Sequence, residues 1–345
     1  MALAKVCRIV SASFPTPVFV SAKTVAAVFC WDEAIRALQA VYAQPIATTA
    51  TPPRTIARDK KAWLRTLTAV PPGTRYFGAK VMGVALDAEA AGVEYVIVLF
   101  DRQTSRIAAF VDGNMVTAYR TAATSAAALD RLARKGSARL AVLGSGLEAR
   151  MHTRAFAAVR PLSEVVVFSP TATRRETFAR DLGAELQLPC RAADNAREAV
   201  EGSTIVLAAA RSRGELPILH GDSLKDGMTI VSIGSTVPEQ REIDVSVADR
   251  ADFIVCDVMD EVLGESGDML AAAQAGIDIR AKAFSLNALM SGELDRERDE
   301  ARLPMFKSVG SGLQDVVIAE LVLTKAVAAG LATPLPIAFE TKMAP

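Results

Sequence analysis

Histidine is scarce in this chain: His152 and His220 are the two in 345 residues. A histidine-rich metal centre is excluded, and a serine–histidine triad has little to draw on. The four cysteines, Cys7, Cys30, Cys190 and Cys256, lie far apart and form no CxxC pair. They read as packed thiols in a reducing compartment, not as a disulfide framework or a zinc site. Neither sign of charge is in excess, since 39 Lys and Arg balance 39 Asp and Glu. That removes the electrostatic case for nucleic acid or an anionic membrane and leaves a small molecule as the expected partner. No run approaches the ~20 apolar residues of a membrane span. The opening segment MALAKVCRIVSASFPTPVFV is interrupted by Lys5, Arg8, Pro15 and Pro17 and lacks a small-residue cleavage site. It does not read as a secretory signal, so the expectation is a cytoplasmic protein without metal.

What is present is ordinary globular material, with 51% hydrophobic and 23% charged residues. The length exceeds one core of roughly 100–200 residues, so two domains are expected. Asp32 is placed to cap a helix whose apolar face is Ile35, Leu38, Val41 and Tyr42. A loop at Thr48–Pro53 delivers Arg54. The runs VEYVIVLFD (93–101) and RIAAFVD (106–112) predict a hairpin, and Thr117–Lys135 a long helix stopped by Gly136. The texture then changes. RLAVLG (139–144), EVVVFS (164–169), TIVLAAA (204–210), TIVSIG (229–234) and FIVCD (253–257) are short β-branched runs separated by helical or loop segments such as Thr173–Leu182. That alternation predicts a parallel sheet covered on both faces. A last helix spans Leu313–Ala329.

The first of these strands runs into Gly144-Ser145-Gly146-Leu147-Glu148-Ala149, a GxGxxA turn opening a helix. Gly144 suits the tight turn, Gly146 lets the backbone approach a pyrophosphate, and Ala149 keeps helix and strand close. The helix N-terminus offers unpaired N–H groups to the diphosphate. After the second strand the chain has Ser169 and Thr171, then Arg174 and Arg175, where an NAD-binding protein would carry an acid. Two hydroxyls and two guanidiniums favour a 2′-phosphate, so NADP(H) is the preferred cofactor and NAD(H) the alternative. The competing reading makes the arginine pair a solvated helix face.

Three further blocks stand in order: Asp112-Gly113 with Thr117-Ala118-Tyr119-Arg120-Thr121-Ala122-Ala123; Ile233-Gly234-Ser235 leading to Glu242-Ile243-Asp244; and Phe306-Lys307-Ser308-Val309-Gly310 with Gln314-Asp315. Together with the glycine turn, the set resembles the ornithine cyclodeaminase/mu-crystallin family from about residue 30 to residue 330. The resemblance implies an α/β fold: a doubly wound Rossmann sheet (126–310) inserted into an α+β substrate-binding and dimerisation domain built from both chain ends (1–125 with 311–345). It implies a homodimer, and a substrate carboxylate held by Arg54, Lys80 and Arg120. It also assigns Thr121, Ser235, Val309 and Gly310 to the cofactor. Independently of the family, Arg offers a bidentate fork for a carboxylate, and Arg120 inside an apolar helix would be costly unpaired.

One departure bears on chemistry. Cyclodeaminases of the family carry an Asp shortly after the second block's glycines, and here Thr236 falls at that place. No Asn follows Lys80 where many members have one. The absent Asn leaves the substrate open, whereas Gly234-Ser235-Thr236-Val237-Pro238 followed by Arg241-Glu242-Ile243-Asp244, without the acid, resembles members that reduce imines such as pyrroline-2-carboxylate or piperideine-2-carboxylate. The expected reaction is NAD(P)H-dependent reduction of a small 2-imino acid, with Lys80 or Asp315 as proton donor. Asp315 can equally be an acid favoured by a helix N-terminus. The alternatives are an amino-acid dehydrogenase, an ornithine cyclodeaminase, or a non-enzymatic NADP-binding protein.

Overall fold

The strands between residues 62 and 112 alternate more and less buried side chains along much of their length, whereas four short strands between residues 205 and 307 are buried throughout, and the two patterns build two different sheets. The computed structural model describes residues 16–85, 92–210, 216–337 and 339–342; Cys7 and the segment carrying Lys5, Arg8 and Pro15 lie outside them.

The chain enters through β1 (Val18–Val20), α1 (Ala22–Val28) and α2 (Trp31–Tyr42). It continues through β2 (Thr55–Arg58), β3 (Ala62–Ala69), β4 (Tyr76–Ala85), β5 (Val93–Asp101) and β6 (Ile107–Asp112) to the long α3 (Gly113–Leu132). The second sheet takes β7 (Ala138–Leu143), α4 (Leu147–Val159), β8 (Leu162–Phe168), α5 (Ala172–Leu186), β9 (Cys190–Ala192), α6 (Ala196–Val200), β10 (Ile205–Ala208) and β11 (Thr229–Ser232). There follow α7 (Val245–Arg250), β12 (Phe253–Cys256), α8 (Met259–Glu265), α9 (Gly267–Gln274), β13 (Ala283–Ser285), α10 (Leu286–Ser291), α11 (Asp295–Glu300) and β14 (Pro304–Lys307). Then α12 (Gly312–Ala328) and β15 (Thr333–Pro334) return to the first sheet.

The first sheet runs β15-β1-β6-β5-β4-β3-β2 and is antiparallel except for the β1–β6 pair. The second runs β13-β12-β14-β11-β10-β7-β8-β9 and is parallel throughout. Its strand order reverses between β7 and β10, the switch point where a doubly wound sheet opens a crevice at its carboxyl ends. Helix α3 packs on β5 and on β11 and β14, and α12 packs on α3, β3, β4 and β5. The crevice therefore faces a wall of the first sheet.

Several boundaries differ from the sequence reading. Asp112 accepts the Asn114 N–H and starts α3 at Gly113, one turn before Thr117. Cys30, not Asp32, occupies the N-cap of α2; Asp32 and Glu33 lie in the first turn, where they meet the positive end of the helix dipole. The β2–β3 hairpin and β14 carry no clear signal in the sequence: Arg58, Lys60, Lys61 and Arg65 interrupt the first, and the second is a run of 4 residues ending on Lys307. β14 slots between β11 and β12 and puts Lys307 in the middle of the sheet. Among the described residues no helix is long and apolar enough to cross a membrane.

Lys307 is fully buried, and its Nζ donates to Ser232 Oγ at 2.7 Å and Asp268 Oδ2 at 2.8 Å, with Glu242 Oε1 at 3.8 Å. Glu242 accepts the Ser232 hydroxyl and the Gly234 N–H, and Asp268 accepts the Glu242 and Ile243 N–H groups. This network fastens the carboxyl ends of β11 and β14 to the 233–243 loop. Replacing Lys307 by Met leaves two buried carboxylates without their cation and is expected to cost about 3–5 kcal/mol. The cost is read as a lower urea midpoint, and an unchanged midpoint would contradict the network's role.

Candidate active site

Antiparallel pairing puts Trp63, Arg65 and Leu67 of β3 on one face with Lys80 and Met82 of β4 and Tyr95 of β5. That face, α3 and the loops after β11 and β14 enclose a cavity of about 300 Å³. Lys80 and Arg120 line it, and their shared partner Asp315, on the first turn of α12, is fully buried. Its Oδ1 lies 2.9 Å from both Lys80 Nζ and Arg120 Nε, and its Oδ2 2.8 Å from Lys80 Nζ. Arg120 Nη1 also donates to Gln314 Oε1 at 2.9 Å. Burial pulls Lys80 down to about 8; the Asp315 charge opposes that pull and Arg120 adds to it. Lys80 is thus a proton-bearing group at neutral pH that releases its proton only slightly above it.

The 308–310 loop is shaped around this group. Gly310 has φ +86°, and a Cβ there would sit 2.5 Å from Arg120 Nη1, so a side chain is excluded twice over. Asp257, at the end of β12, holds the loop by accepting the Ser308 hydroxyl and the Val309 and Gly310 N–H groups. It also accepts Gln314 Nε2, which links it to the partner of Arg120.

Tyr95, Thr117, Glu148 and Ala209 line this cavity and also a second, larger cleft of about 880 Å³. The cleft runs over the Gly144–Ala149 turn at the switch point. Gly144 has φ +122°, and a Cβ there would lie 2.6 Å from the Ala209 carbonyl. No side chain caps α4, and a Cβ at Gly146 would meet nothing within 4 Å. Open backbone N–H groups at a helix start, beside a cleft of this size, fit a dinucleotide diphosphate. Ser145 and Ser169 share a hydrogen bond of 2.9 Å at the cleft wall, and Thr171 and Arg174 line its far end. No cluster of metal-ligating side chains occurs among the described residues.

The model of the ornithine cyclodeaminase/mu-crystallin family matches residues 16–330. The chain belongs to that family. It is 28% identical over 270 residues to the Delta(1)-pyrroline-2-carboxylate reductase of Bacillus cereus (strain ZK / E33L), spanning 76% of this chain and 81% of the relative. It is 33% identical over 226 residues to the ketimine reductase mu-crystallin of Mus musculus, spanning 66% of this chain and 67% of that one. The crystal structure of the iminosuccinate reductase of Paracoccus denitrificans in complex with NAD+ superposes with a TM-score of 0.84 at 25% identity, covering 93% of this chain and 100% of that one. These likenesses identify the chain as an NAD(P)-dependent oxidoreductase of the family.

Within the family frame, the structure gathers some of the residues singled out in the sequence and disperses others. Lys80, Arg120 and Asp315 meet, and Thr121, Val309 and Gly310 line the same cavity. Gly144, Ser145, Gly146, Leu147, Glu148, Ser169, Thr171 and Arg174 line the cleft, and Ala149 is buried behind it. Arg54 does not line the cavity. Its guanidinium, almost fully buried, is ion-paired with Glu261 and Glu265 of α8 and donates to the Thr236 carbonyl, so it braces the loop instead of facing a ligand. Arg175 turns away from the cleft onto the Ser169 carbonyl, Asp194 and the Phe168 ring. Ser235 is buried against the Gln240 carbonyl and Ser266. His152 is a core residue between the Glu148 carbonyl and Ser125, and burial lowers it to about 4. Arg65 and Asp257 went unnoticed in the sequence; the acid ending the FIVCD run was the available signal for the second.

Because the Asp315 charge favours the Lys80 ammonium, Asp315→Asn is expected to lower the Lys80 pKa by roughly 1–2 units. Labelling of Lys80 by a small acylating reagent, followed by mass spectrometry against pH, reads this directly. The parent should show a midpoint near 8 and the variant a lower one; a higher midpoint would contradict the arrangement.

Proposed function

We propose that this enzyme reduces a small 2-imino acid, cyclic or linear, to the corresponding amino acid, with NADPH as the preferred reductant. The observation that carries the reading is the buried Lys80–Asp315–Arg120 group at the junction of cavity and nucleotide cleft. Two cations share one carboxylate, which leaves the group one positive charge in excess. Arg120 Nη2 has no hydrogen-bond partner among the described residues. A substrate carboxylate supplies the missing anion in a cavity where charge-assisted hydrogen bonds are strong. The imine nitrogen must carry a proton before the carbon accepts hydride, and Lys80 is the donor within reach, directly or through one water. Asp315, accepting from both cations, orients Lys80. The reduced nicotinamide, when bound, supplies the hydride. Thr236 lines the cavity where cyclodeaminases of the family carry an acid, so no carboxylate handles a substrate amine there. For the cofactor, Ser169, Thr171 and the exposed Arg174 border the end of the cleft and no acid follows β8, which favours a 2′-phosphate.

The test is NADPH oxidation with pyrroline-2-carboxylate and piperideine-2-carboxylate, set against ammonia release from ornithine. Imine reduction should be the faster reaction. Its rate should fall as pH rises through about 8, where Lys80 loses its proton. Ammonia release without imine reduction would reverse the reading. In the same assay the parent should bind NADPH at least about tenfold more tightly than NADH, or about 1.4 kcal/mol, and Arg174→Ala should erase that margin. Equal affinities in the parent would count against the cofactor preference.

A further inference from the structure

Arg65 is not used by the chemistry above. It sits on β3, opposite Met82 and on the same sheet face as Lys80, and it lines the substrate cavity without touching the nucleotide cleft. Its guanidinium is stacked on the Trp63 ring at 4.7 Å, and its buried Nε has no hydrogen-bond partner. No carboxylate among the described residues lies within ion-pair distance. Glu261 and Glu265, whose charge reaches it, make their ion pairs with Arg54 and none with Arg65. Burial lowers Arg65 only to about 10, so it stays charged at neutral pH. An unpaired, partly buried guanidinium aimed at a cavity is costly to keep in a protein without a ligand.

The position of Arg65 fixes the kind of ligand. Lys80 and Arg65 are diagonal neighbours on the antiparallel face, a separation of roughly 7–8 Å between backbones. Apolar Leu67 and Met82 accompany them in the wall. One ligand carboxylate balances the Lys80–Asp315–Arg120 group, and Arg65, with no direct partner of its own in the cavity wall, is placed for a second.

We propose that Arg65 is a second anion subsite, and that the substrate of this enzyme is a short 2-imino acid whose side chain ends in a carboxylate. The inference rests on the imine-reduction reading and adds the substrate class. The first carboxylate, beside the reacting carbon, goes to Lys80 and Arg120. The second goes to the Arg65 fork, whose stacking on Trp63 presents its N–H edge ready-oriented.

The experiment compares NADPH oxidation with oxaloacetate plus ammonium against 2-oxobutyrate plus ammonium, which give imines with and without the second carboxylate. The parent should favour the first by roughly a hundredfold in kcat/KM. Arg65→Ala should bring the ratio near parity, and Arg65→Lys should restore part of it. Succinate and butyrate titrations followed by tryptophan fluorescence read the same selectivity without turnover, since Trp63 is one of two tryptophans and touches Arg65. Turnover of both imines with equal efficiency, and equal binding of the two acids, would overturn the dicarboxylate inference and leave imine reduction standing. Arg65-dependent succinate binding with no imine turnover would instead overturn the reduction reading and keep the subsite. An Arg65→Ala enzyme that loses both substrates alike, with the ratio unchanged, would show that Arg65 does not discriminate and would end the proposal.

Discussion

One carboxylate holds the site together. Asp315 reaches Lys80, 235 positions away in sequence, and Arg120, 195 positions away, from the first turn of a helix that returns from the second sheet to the first. With Asp315 absent, two cations would stand side by side in a buried space, and neither could be kept charged there without cost. With it, one stays an oriented guanidinium and the other a lysine poised near neutrality. The cavity is set by these charges as much as by its shape.

Much of the surrounding backbone follows from that group. Gly310 is without a side chain because Arg120 occupies the space, and Asp257 pins the loop that Gly310 belongs to. Gln314 joins the two by touching both Arg120 and Asp257. On the other side, the Lys307 network fixes the carboxyl ends of β11 and β14, so the 233–243 loop closes the cavity from a rigid base. Arg54 braces the same loop through Thr236 and holds the direct ion pairs with Glu261 and Glu265.

The sequence was most legible where the chemistry is local. The Gly144–Ala149 turn is read from six consecutive residues, and the parallel strands from their unbroken apolar runs, because a strand buried on both faces has no polar alternation to hide it. The signature blocks located Arg120 and Asp315 but could not show that they touch, since no local spacing encodes a contact across 195 residues. The adjacent arginines 174 and 175 were indistinguishable in sequence; one faces the cleft and the other is drawn inward by Asp194 and Phe168. Arg54 and Arg65 exchange prominence for the same reason. Which guanidinium is free depends on where α8 places Glu261 and Glu265, and that is decided by the tertiary fold.

The central claim is that Arg120, held by Asp315, receives the substrate carboxylate and takes no part in nucleotide binding. Steady-state kinetics of Arg120→Ala, with NADPH affinity measured alongside, tests it most directly. The account predicts a loss of roughly two orders of magnitude or more in kcat/KM for the imine, since a buried charged partner is left unpaired. It predicts an NADPH Kd close to the parent's, and only partial recovery in Arg120→Lys. An Arg120→Ala enzyme that keeps near-parental kcat/KM, or one that loses NADPH binding in proportion to its activity, would contradict it.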